Sequence, residues 1–269
     1  MIPIDQAILI TAITASIYML AVYVAAQIRR DTSIVDVAWG LGFVTAAAAL
    51  QLANDSENEL FSLVQVLVSI WGIRLFLHIL VRKAGKPEDW RYQNWREQWG
   101  KTHWWRSLLQ VFMLQGAILT AIAAPLYVAI AAEDTSLGPL AIVGAMVWLV
   151  GFIFEAVGDY QLKKFIADKE AAKASKSKKK HPKFLMTGLW RYTRHPNYFG
   201  EVTQWWGLWI IVASTTYGLY AIVSPLIITY LLLVVSGIPM LEKKWEKDRE
   251  FKKYKKKTNA FFPGAPKKK

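Results

Sequence analysis

The segment from Gly188 to Glu201 concentrates groups that can bind an anion. Arg191, Arg194 and His195 come just before an apolar stretch, and Pro196 suits the first turn of a helix. The start of a helix presents free backbone N–H groups and the positive end of the helix dipole. Together these features predict a site for a diphosphate or a carboxylate drawn from the cytosol.

A second set of polar groups lies inside the apolar stretches themselves. Ionisable side chains are costly within a bilayer, so they usually face a protein interior and often mark function. Residues three or four positions apart share one helix face, as do Asn197, Glu201 and Gln204. The set predicts one polar cavity to which four helices contribute: Asp36; Arg74 and His78; Glu155 and Asp159; Glu201 and Gln204.

The elements that must position these groups are long apolar stretches, several of them near the roughly 20 residues that a helix needs to cross a bilayer. We predict an all-α, polytopic membrane protein that forms a single membrane domain of about seven transmembrane helices. The predicted spans are residues 7–26, 33–53, 60–81, 107–131, 139–158, 198–214 and 218–240. Residues 1–131 are expected to line a substrate pocket, and residues 139–269 to bind a cofactor.

The distribution of basic residues predicts the orientation. Four connections, residues 1–6, 54–59, 133–138 and 214–218, contain no Lys or Arg. Cytoplasmic loops collect these residues, so we expect the N-terminus outside, the C-terminus in the cytoplasm and the polar groups on the cytoplasmic side. The net charge of +13 is then explained by proximity to membrane lipids and not by nucleic acid. The absence of cysteine excludes disulfides and thiolate chemistry.

Three basic segments have distinct predicted roles. Residues 82–106 alternate aromatic and basic side chains, which suits a helix at the level of the lipid headgroups. The stretch Ala167–Lys180 is rich in Ala, Lys and Ser and is predicted to be a flexible basic loop. The tail carries a lysine run between Lys252 and Lys257 that suits either anionic lipid or the phosphates of a cofactor.

The motif Arg194-His195-Pro196-Asn197-Tyr198-Phe199-Gly200-Glu201 is followed by a tail with Glu242-x-x-Trp245, Tyr254 and Phe262-Pro263. This pattern resembles the C-terminal region of the steroid 5-alpha-reductase superfamily, over roughly residues 155–263. The stretch Gly85–Tyr92 is similar to an uncharacterised bacterial branch of that superfamily.

The resemblance implies an NADPH-dependent reductase of a lipophilic enone or sterol-like alkene. It implies that the nicotinamide and ribose of NADPH are held by Asp159, Asn197, Tyr198 and Glu201, with Arg194 and His195 beside them. It also implies that Glu242 and Tyr254 cover the adenine side, and that Lys86 and Lys163 meet the phosphates.

The resemblance fits less well at the catalytic end. In that superfamily an acidic residue of the second helix and a tyrosine of the third polarise the substrate carbonyl. Asp36 matches the acid, whereas the third predicted span contains no tyrosine. We therefore expect Asp36 to act with His78 or Tyr92 as proton donor. The alternative is an ion pair between Asp36 and Arg74 that only ties two helices together.

Two other functions remain open at this stage. Isoprenylcysteine carboxyl methyltransferases share the Arg-His-Pro-x-Tyr-x-Gly pattern and bind S-adenosylmethionine there, with an Arg–Glu pair in the tail. The common face of Asn197 and Glu201, and the two lysines that follow Glu242, favour a dinucleotide instead. The third function is that of a non-catalytic lipid-binding membrane protein, against which the predicted polar cavity argues.

Overall fold

The structure is a computed structural model that describes residues 2–54, 57–175 and 181–267. Within these ranges the regular elements are helices, and the one pairing of extended residues is an isolated bridge between Thr193 and Asn259. The α-helices are α1 (Ile4–Arg29), α2 (Ile34–Leu52), α3 (Glu59–Lys83), α4 (Trp90–Trp99), α5 (His103–Ser107), α6 (Leu114–Ile122), α7 (Ala124–Ile130), α8 (Pro139–Ala174), α9 (Pro196–Val212), α10 (Val223–Tyr230), α11 (Ile238–Lys243) and α12 (Arg249–Lys257). Short 3-10 turns lie at Gly100–Thr102, Gly188–Arg191 and Gly218–Ile222, and π-helical turns at Leu108–Met113 and Leu231–Val235. The all-α prediction is confirmed.

Six helical stretches of the described chain are long and apolar enough to cross a membrane: Ile4–Arg29, Ile34–Leu52, Glu59–Lys83, Trp90–Ile122, Pro139–Ala174 and Gly218–Lys243. They overlap six of the predicted spans, and the chain is a polytopic, integral membrane protein. The remaining predicted span corresponds to α9, whose 17 residues rise about 26 Å. That length lies just under the roughly 30 Å of a bilayer's hydrocarbon core. The number of crossings and their orientation stay predictions.

The predicted flexible loop at Ala167–Lys180 is wrong in its first half. Helix α8 continues through this stretch to Ala174 and contains 36 residues, because Ala, Lys and Glu are strong helix formers. Residues 176–180 lie outside the described part of the chain. The helix expected within residues 82–106 is present as α4. It begins after Asp89, whose side chain accepts a hydrogen bond from the backbone N–H of Arg91.

The chain divides into two compact units. The first comprises Met1–Ile142 and Trp209–Ser224, and the second Val143–Leu208 and Pro225–Lys269. In the first unit α2 and α3 lie close together where Gly40 meets Gly72. A Cβ atom at Gly40 would lie only 2.3 Å from the Gly72 carbonyl oxygen. Small residues of this kind let two helix backbones approach one another in a membrane.

In the second unit α8 and α9 pack antiparallel along a seam of glycines. A Cβ atom at Gly200 would lie 2.5 Å from the Gly151 carbonyl oxygen, and one at Gly207 would lie 2.6 Å from the Trp148 backbone nitrogen. The close approach leaves no room for apolar side chains between the two backbones. Polar side chains on the flanks of the seam are therefore brought within hydrogen-bonding distance across it.

Candidate functional site

Two acid–amide pairs join α8 to α9 beside the glycine seam. The side-chain amide of Gln204 donates to the Glu155 carboxylate at 2.6 Å, and that of Asn197 donates to Asp159 at 3.2 Å. Glu155 and Asp159 lie four positions apart and so share one face of α8. Glu155 and Gln204 are almost fully buried. The structure therefore brings Asp159 and Asn197 together, as the sequence predicted.

Each of these amides leaves an oxygen atom without a donor. Because the two NH2 groups face carboxylates, the orientation of each amide is fixed and its oxygen is available only as an acceptor. Asn197 Oδ1 and Gln204 Oε1 are both buried, and neither has a hydrogen-bond partner within the described ranges. A buried acceptor without a donor costs about 1–3 kcal/mol. The two oxygens are candidate contacts for N–H or O–H groups of a ligand.

Two further predicted residues lie on the same segment. Glu201 is half-buried and falls between Asn197 and Gln204 along α9. Tyr198 is also half-buried, and its ring stacks on that of His195 with 5.6 Å between ring centroids and 9° between planes. The start of α9 therefore combines carboxylates, amide oxygens and an aromatic face.

The glycine seam makes a specific stability prediction. Gly200→Ala would place a methyl group 2.4 Å from the Glu155 backbone nitrogen, so the helices must separate and the acid–amide pairs must lengthen. We expect a loss of about 1–3 kcal/mol, the usual cost of overpacking a tight contact. Thermal melting in detergent measures it. Gly138→Ala is the matched control, because a Cβ there meets nothing within 4 Å. Equal melting temperatures for the two variants would contradict the role of the seam.

The predicted anion-binding group is present, but the anion that it binds is a carboxylate of the protein. Arg194 Nε donates to Glu242 Oε1 at 2.8 Å, and His195 Nε2 lies 3.1 Å from the same oxygen. Lys255 Nζ approaches the other carboxylate oxygen at 3.2 Å. Arg194, His195 and Glu242 are all buried. A ligand phosphate at this position would have to displace Glu242, so the cofactor contacts of these three residues stay predictions.

The C-terminal tail is hydrogen-bonded to the segment before α9. The backbone N–H of Arg194 donates to the Asn259 carbonyl at 2.9 Å. The fully buried hydroxyl of Thr193 lies 2.8 Å from the Phe261 carbonyl, to which it donates. Arg194 also donates through its guanidinium to the Thr258 carbonyl. The tail therefore fixes the conformation of the residues that begin α9.

Tyr254 forms a further tie between the tail and this segment. Its hydroxyl donates to the Trp190 carbonyl, and burial raises the pKa of the phenol. Trp190 in turn donates from Nε1 to the Gly158 carbonyl on α8 at 3.1 Å. Tyr254 therefore supports the packing of the tail, and its expected contact with the adenine side stays a prediction.

The two lysines predicted to meet phosphates lie on the surface. Lys163 projects from α8, and Lys86 lies in the turn after α3 beside Gly85, which has a φ of 71°. Both are exposed, and no ion pair of the described residues involves either one. Each is available for an anion, and their roles stay predictions.

The first unit contains a second charged cluster around Asp36. The carboxylate of Asp36 accepts a hydrogen bond at 2.6 Å from Arg91 Nη2 and another at 2.6 Å from the Tyr92 hydroxyl. Arg91 also donates from Nε to Asp89 at 2.8 Å. Tyr92 is buried, with 3% of its surface exposed. The alternative of an ion pair with Arg74 is therefore corrected, because the cation paired with Asp36 is Arg91.

These contacts change the expected roles within the cluster. Within this pair Tyr92 carries the hydrogen and Asp36 accepts it, so Tyr92 is the candidate proton donor of the two. His78 lies on α3 and is half-buried. In the described chain the hydrogen-bonding partners of Asp36 are Arg91 and Tyr92. The sequence therefore placed Asp36 with Tyr92 correctly, while the role of His78 stays a prediction.

Two neighbouring contacts hold the turn before α2 near the end of α3 and near the residues that precede α4. Lys83 pairs with Asp31 at 3.0 Å, and Glu88 accepts from the backbone N–H of Thr32 at 2.6 Å. Burial acts to raise the pKa of Glu88, but hydrogen bonds from Arg96 and from Thr32 outweigh it and lower that pKa. The charged form of Glu88 is thus favoured, and it binds both Thr32 before α2 and Arg96 on α4.

Sequence reasoning missed Arg91. It lies between Asp89, which caps α4, and Tyr92, which was a candidate proton donor. The signal available was its position in the Gly85–Tyr92 stretch that resembles the bacterial branch. A cation adjacent to a candidate acid–phenol pair is a plausible partner for the acid, and the interpretation considered only Arg74.

Fold and clusters together define an all-α, polytopic membrane protein with an ion-paired cluster in each of its two units. The chain belongs to the DUF1295 family, described as a "Protein of unknown function", whose model matches residues 22–258. No curated protein and no solved structure matches the chain.

Proposed function

We propose that the protein is a membrane-embedded reductase that uses NADPH to reduce a carbon–carbon double bond in a lipophilic enone or alkene. The substrate class is steroid-like, sterol or isoprenoid, and it reaches the protein from the bilayer. The active site faces the cytoplasm, from which NADPH enters, and the membrane is the plasma or inner membrane if the organism is prokaryotic. The resemblance of the Arg194–Glu201 segment to the steroid 5-alpha-reductase superfamily motivates this assignment.

The observation that carries the proposal is the pair of buried acceptor oxygens on α9. Asn197 Oδ1 and Gln204 Oε1 have no donor among the described residues, and the carboxamide N–H and ribose hydroxyl groups of NADPH are donors of the required kind. Asp159, Tyr198 and Glu201 are assigned to the same end of the cofactor. The residues present therefore fit the nicotinamide half of a dinucleotide.

The chemistry is divided between the cofactor and the chain. NADPH, when bound, supplies hydride to one end of a polarised alkene. Tyr92 has one phenolic hydrogen, which Asp36 accepts in this structure. In the proposed reaction the hydroxyl turns this hydrogen from Asp36 to the substrate carbonyl oxygen and donates it there. Asp36, bound in turn by Arg91, holds the phenolic oxygen in position.

A methyltransferase function is less well supported. In the isoprenylcysteine carboxyl methyltransferases an Arg–Glu pair in the tail selects the substrate carboxylate. Here Glu242 is buried against Arg194, His195 and Lys255. Its charge is already balanced, and Arg194 is no longer available for a substrate carboxylate.

The proposal predicts the effect of removing polar groups from the face of α9. Asn197→Ala and Glu201→Gln are each expected to weaken NADPH affinity by more than about tenfold, since a lost hydrogen bond to a charged or buried group is worth on the order of 2 kcal/mol. Fluorescence titration of purified variants measures this. Thr203→Ala is the matched control, because its hydroxyl bonds only to the Phe199 carbonyl of its own helix at 2.7 Å. Unchanged affinity in both test variants would remove this face from the cofactor site.

A further inference from the structure

Helix α12 presents one face of lysines to the surroundings. Lys252, Lys253, Lys256 and Lys257, here called the lysine face, are all exposed. No acidic side chain of the described chain forms an ion pair with any of them. Arranged at helical spacing, their charges form a compact patch that has no internal counter-charge.

The opposite face of α12 is buried and holds the helix in place. Phe251 and Tyr254 are 6% and 5% exposed, and Phe251 packs against Phe184 with 5.3 Å between ring centroids. Lys255 is the one lysine of the helix that turns inward, to Glu242. Asp248 caps the N-terminus by accepting from the backbone N–H of Phe251 at 3.0 Å. The lysine face therefore belongs to a helix that is held in place by packing and by its N-terminal cap.

The position of α12 along the chain keeps the helix close to the end of an apolar stretch. The apolar stretch Gly218–Lys243 ends shortly before α12 begins at Arg249. Even a fully extended connection of this length reaches only about 20 Å. Three further exposed lysines, Lys243, Lys244 and Lys247, lie on that connection or at its start.

We propose that the lysine face binds the phosphates of anionic phospholipid headgroups. An ammonium group acts on a phosphate as a point charge and needs no fixed geometry, and basic residues beside a membrane span are attracted to anionic lipid. Free phosphate and the phosphates of a nucleotide share this chemistry. The lysine face lies on the side of α12 opposite Tyr254, which packs toward the segment before α9, and this placement favours the lipid. The proposal is independent of the reductase activity.

Native mass spectrometry of the full-length protein in detergent tests the proposal, with phosphatidylglycerol and phosphatidylcholine of identical acyl chains as probes. The wild type is expected to retain phosphatidylglycerol preferentially. In the variant Lys252→Gln/Lys253→Gln/Lys256→Gln, the ratio of bound phosphatidylglycerol to bound phosphatidylcholine should fall by at least about tenfold. The melting temperature should not change. The matched control Lys101→Gln/Lys164→Gln/Lys173→Gln removes the same charge from exposed lysines elsewhere and should keep it.

Three results would overturn the proposal. Equal lipid preference in the wild type and the α12 variant would show that the face does not bind headgroups. Equal loss in both variants would assign lipid retention to net charge alone. Displacement of phosphatidylglycerol by added inorganic phosphate or NADPH, with weaker NADPH binding in the α12 variant, would assign the face to a soluble phosphate ligand.

Discussion

Glu242→Ala is expected to cost about 3 kcal/mol of folding free energy, the lower end of the range for breaking a buried ion pair. The carboxylate is bound by Arg194 at 2.8 Å and lies 3.1 Å from His195, and both of these side chains are buried. Without Glu242, Arg194 would retain its bond to the Thr258 carbonyl but would carry an uncompensated charge. The lower end applies because Lys255 keeps one side of the carboxylate close to solvent.

The same carboxylate provides an internal comparison. Lys255 is 44% exposed at its side chain, so Lys255→Ala should cost no more than about 1 kcal/mol, as expected for a surface ion pair. Glu246→Ala, an exposed acid of the same connection, should cost less still. Unfolding in detergent titrated with a denaturing surfactant measures all three variants. Similar losses for Glu242→Ala and Lys255→Ala would contradict the buried-pair account.

Tyr92→Phe is expected to slow NADPH-dependent reduction by about 10²–10⁴-fold, the usual loss when general-acid help is removed. The substitution deletes the hydroxyl that donates to Asp36 at 2.6 Å and leaves the buried ring in place. NADPH affinity should be unchanged, because Tyr92 is not among the residues proposed to bind the cofactor. Single-turnover oxidation of NADPH measures the effect, with a 4-ene-3-oxosteroid and a linear isoprenoid enone as test substrates.

Two comparison variants separate chemistry from packing. Tyr18→Phe removes a hydroxyl that donates to the Ala38 carbonyl at 2.7 Å in the same unit, and it should leave turnover unchanged. Asp36→Asn should also slow turnover, while Arg91 keeps Asp89 as a carboxylate partner, so that stability falls little. Full turnover in a stable Tyr92→Phe protein would return the donor role to His78. Parallel loss of melting temperature and NADPH affinity in Asp36→Asn would favour a purely structural cluster.

The positions of the helices could be predicted where one local property of the sequence determines them. Length and uninterrupted apolar character located the spans, because a bilayer imposes both. The error at Ala167–Ala174 arose because a low-complexity composition was taken for a loop, although Ala, Lys and Glu are strong helix formers. Helix propensity alone was therefore enough to predict that α8 continues through this stretch.

The site was predictable only in part, because local spacing identifies groups but not their distant partners. The stripe of Asn197, Glu201 and Gln204 follows from helical periodicity alone. Arg194 and Glu242 are 48 positions apart, and Asp36 and Arg91 are 55 apart. Pairings over such distances depend on how helices pack. The sequence therefore showed Arg194 before α9 without showing that Glu242 of the tail already pairs with it.

Calorimetric titration of the purified wild-type protein with NADPH and, separately, with S-adenosylmethionine tests the central claim most directly. We expect saturable NADPH binding that is at least about tenfold tighter than any binding of S-adenosylmethionine. The grounds are the buried acceptor oxygens of Asn197 and Gln204 and the ion pair between Glu242 and Arg194. Saturable binding of S-adenosylmethionine with no heat from NADPH would contradict the reductase proposal.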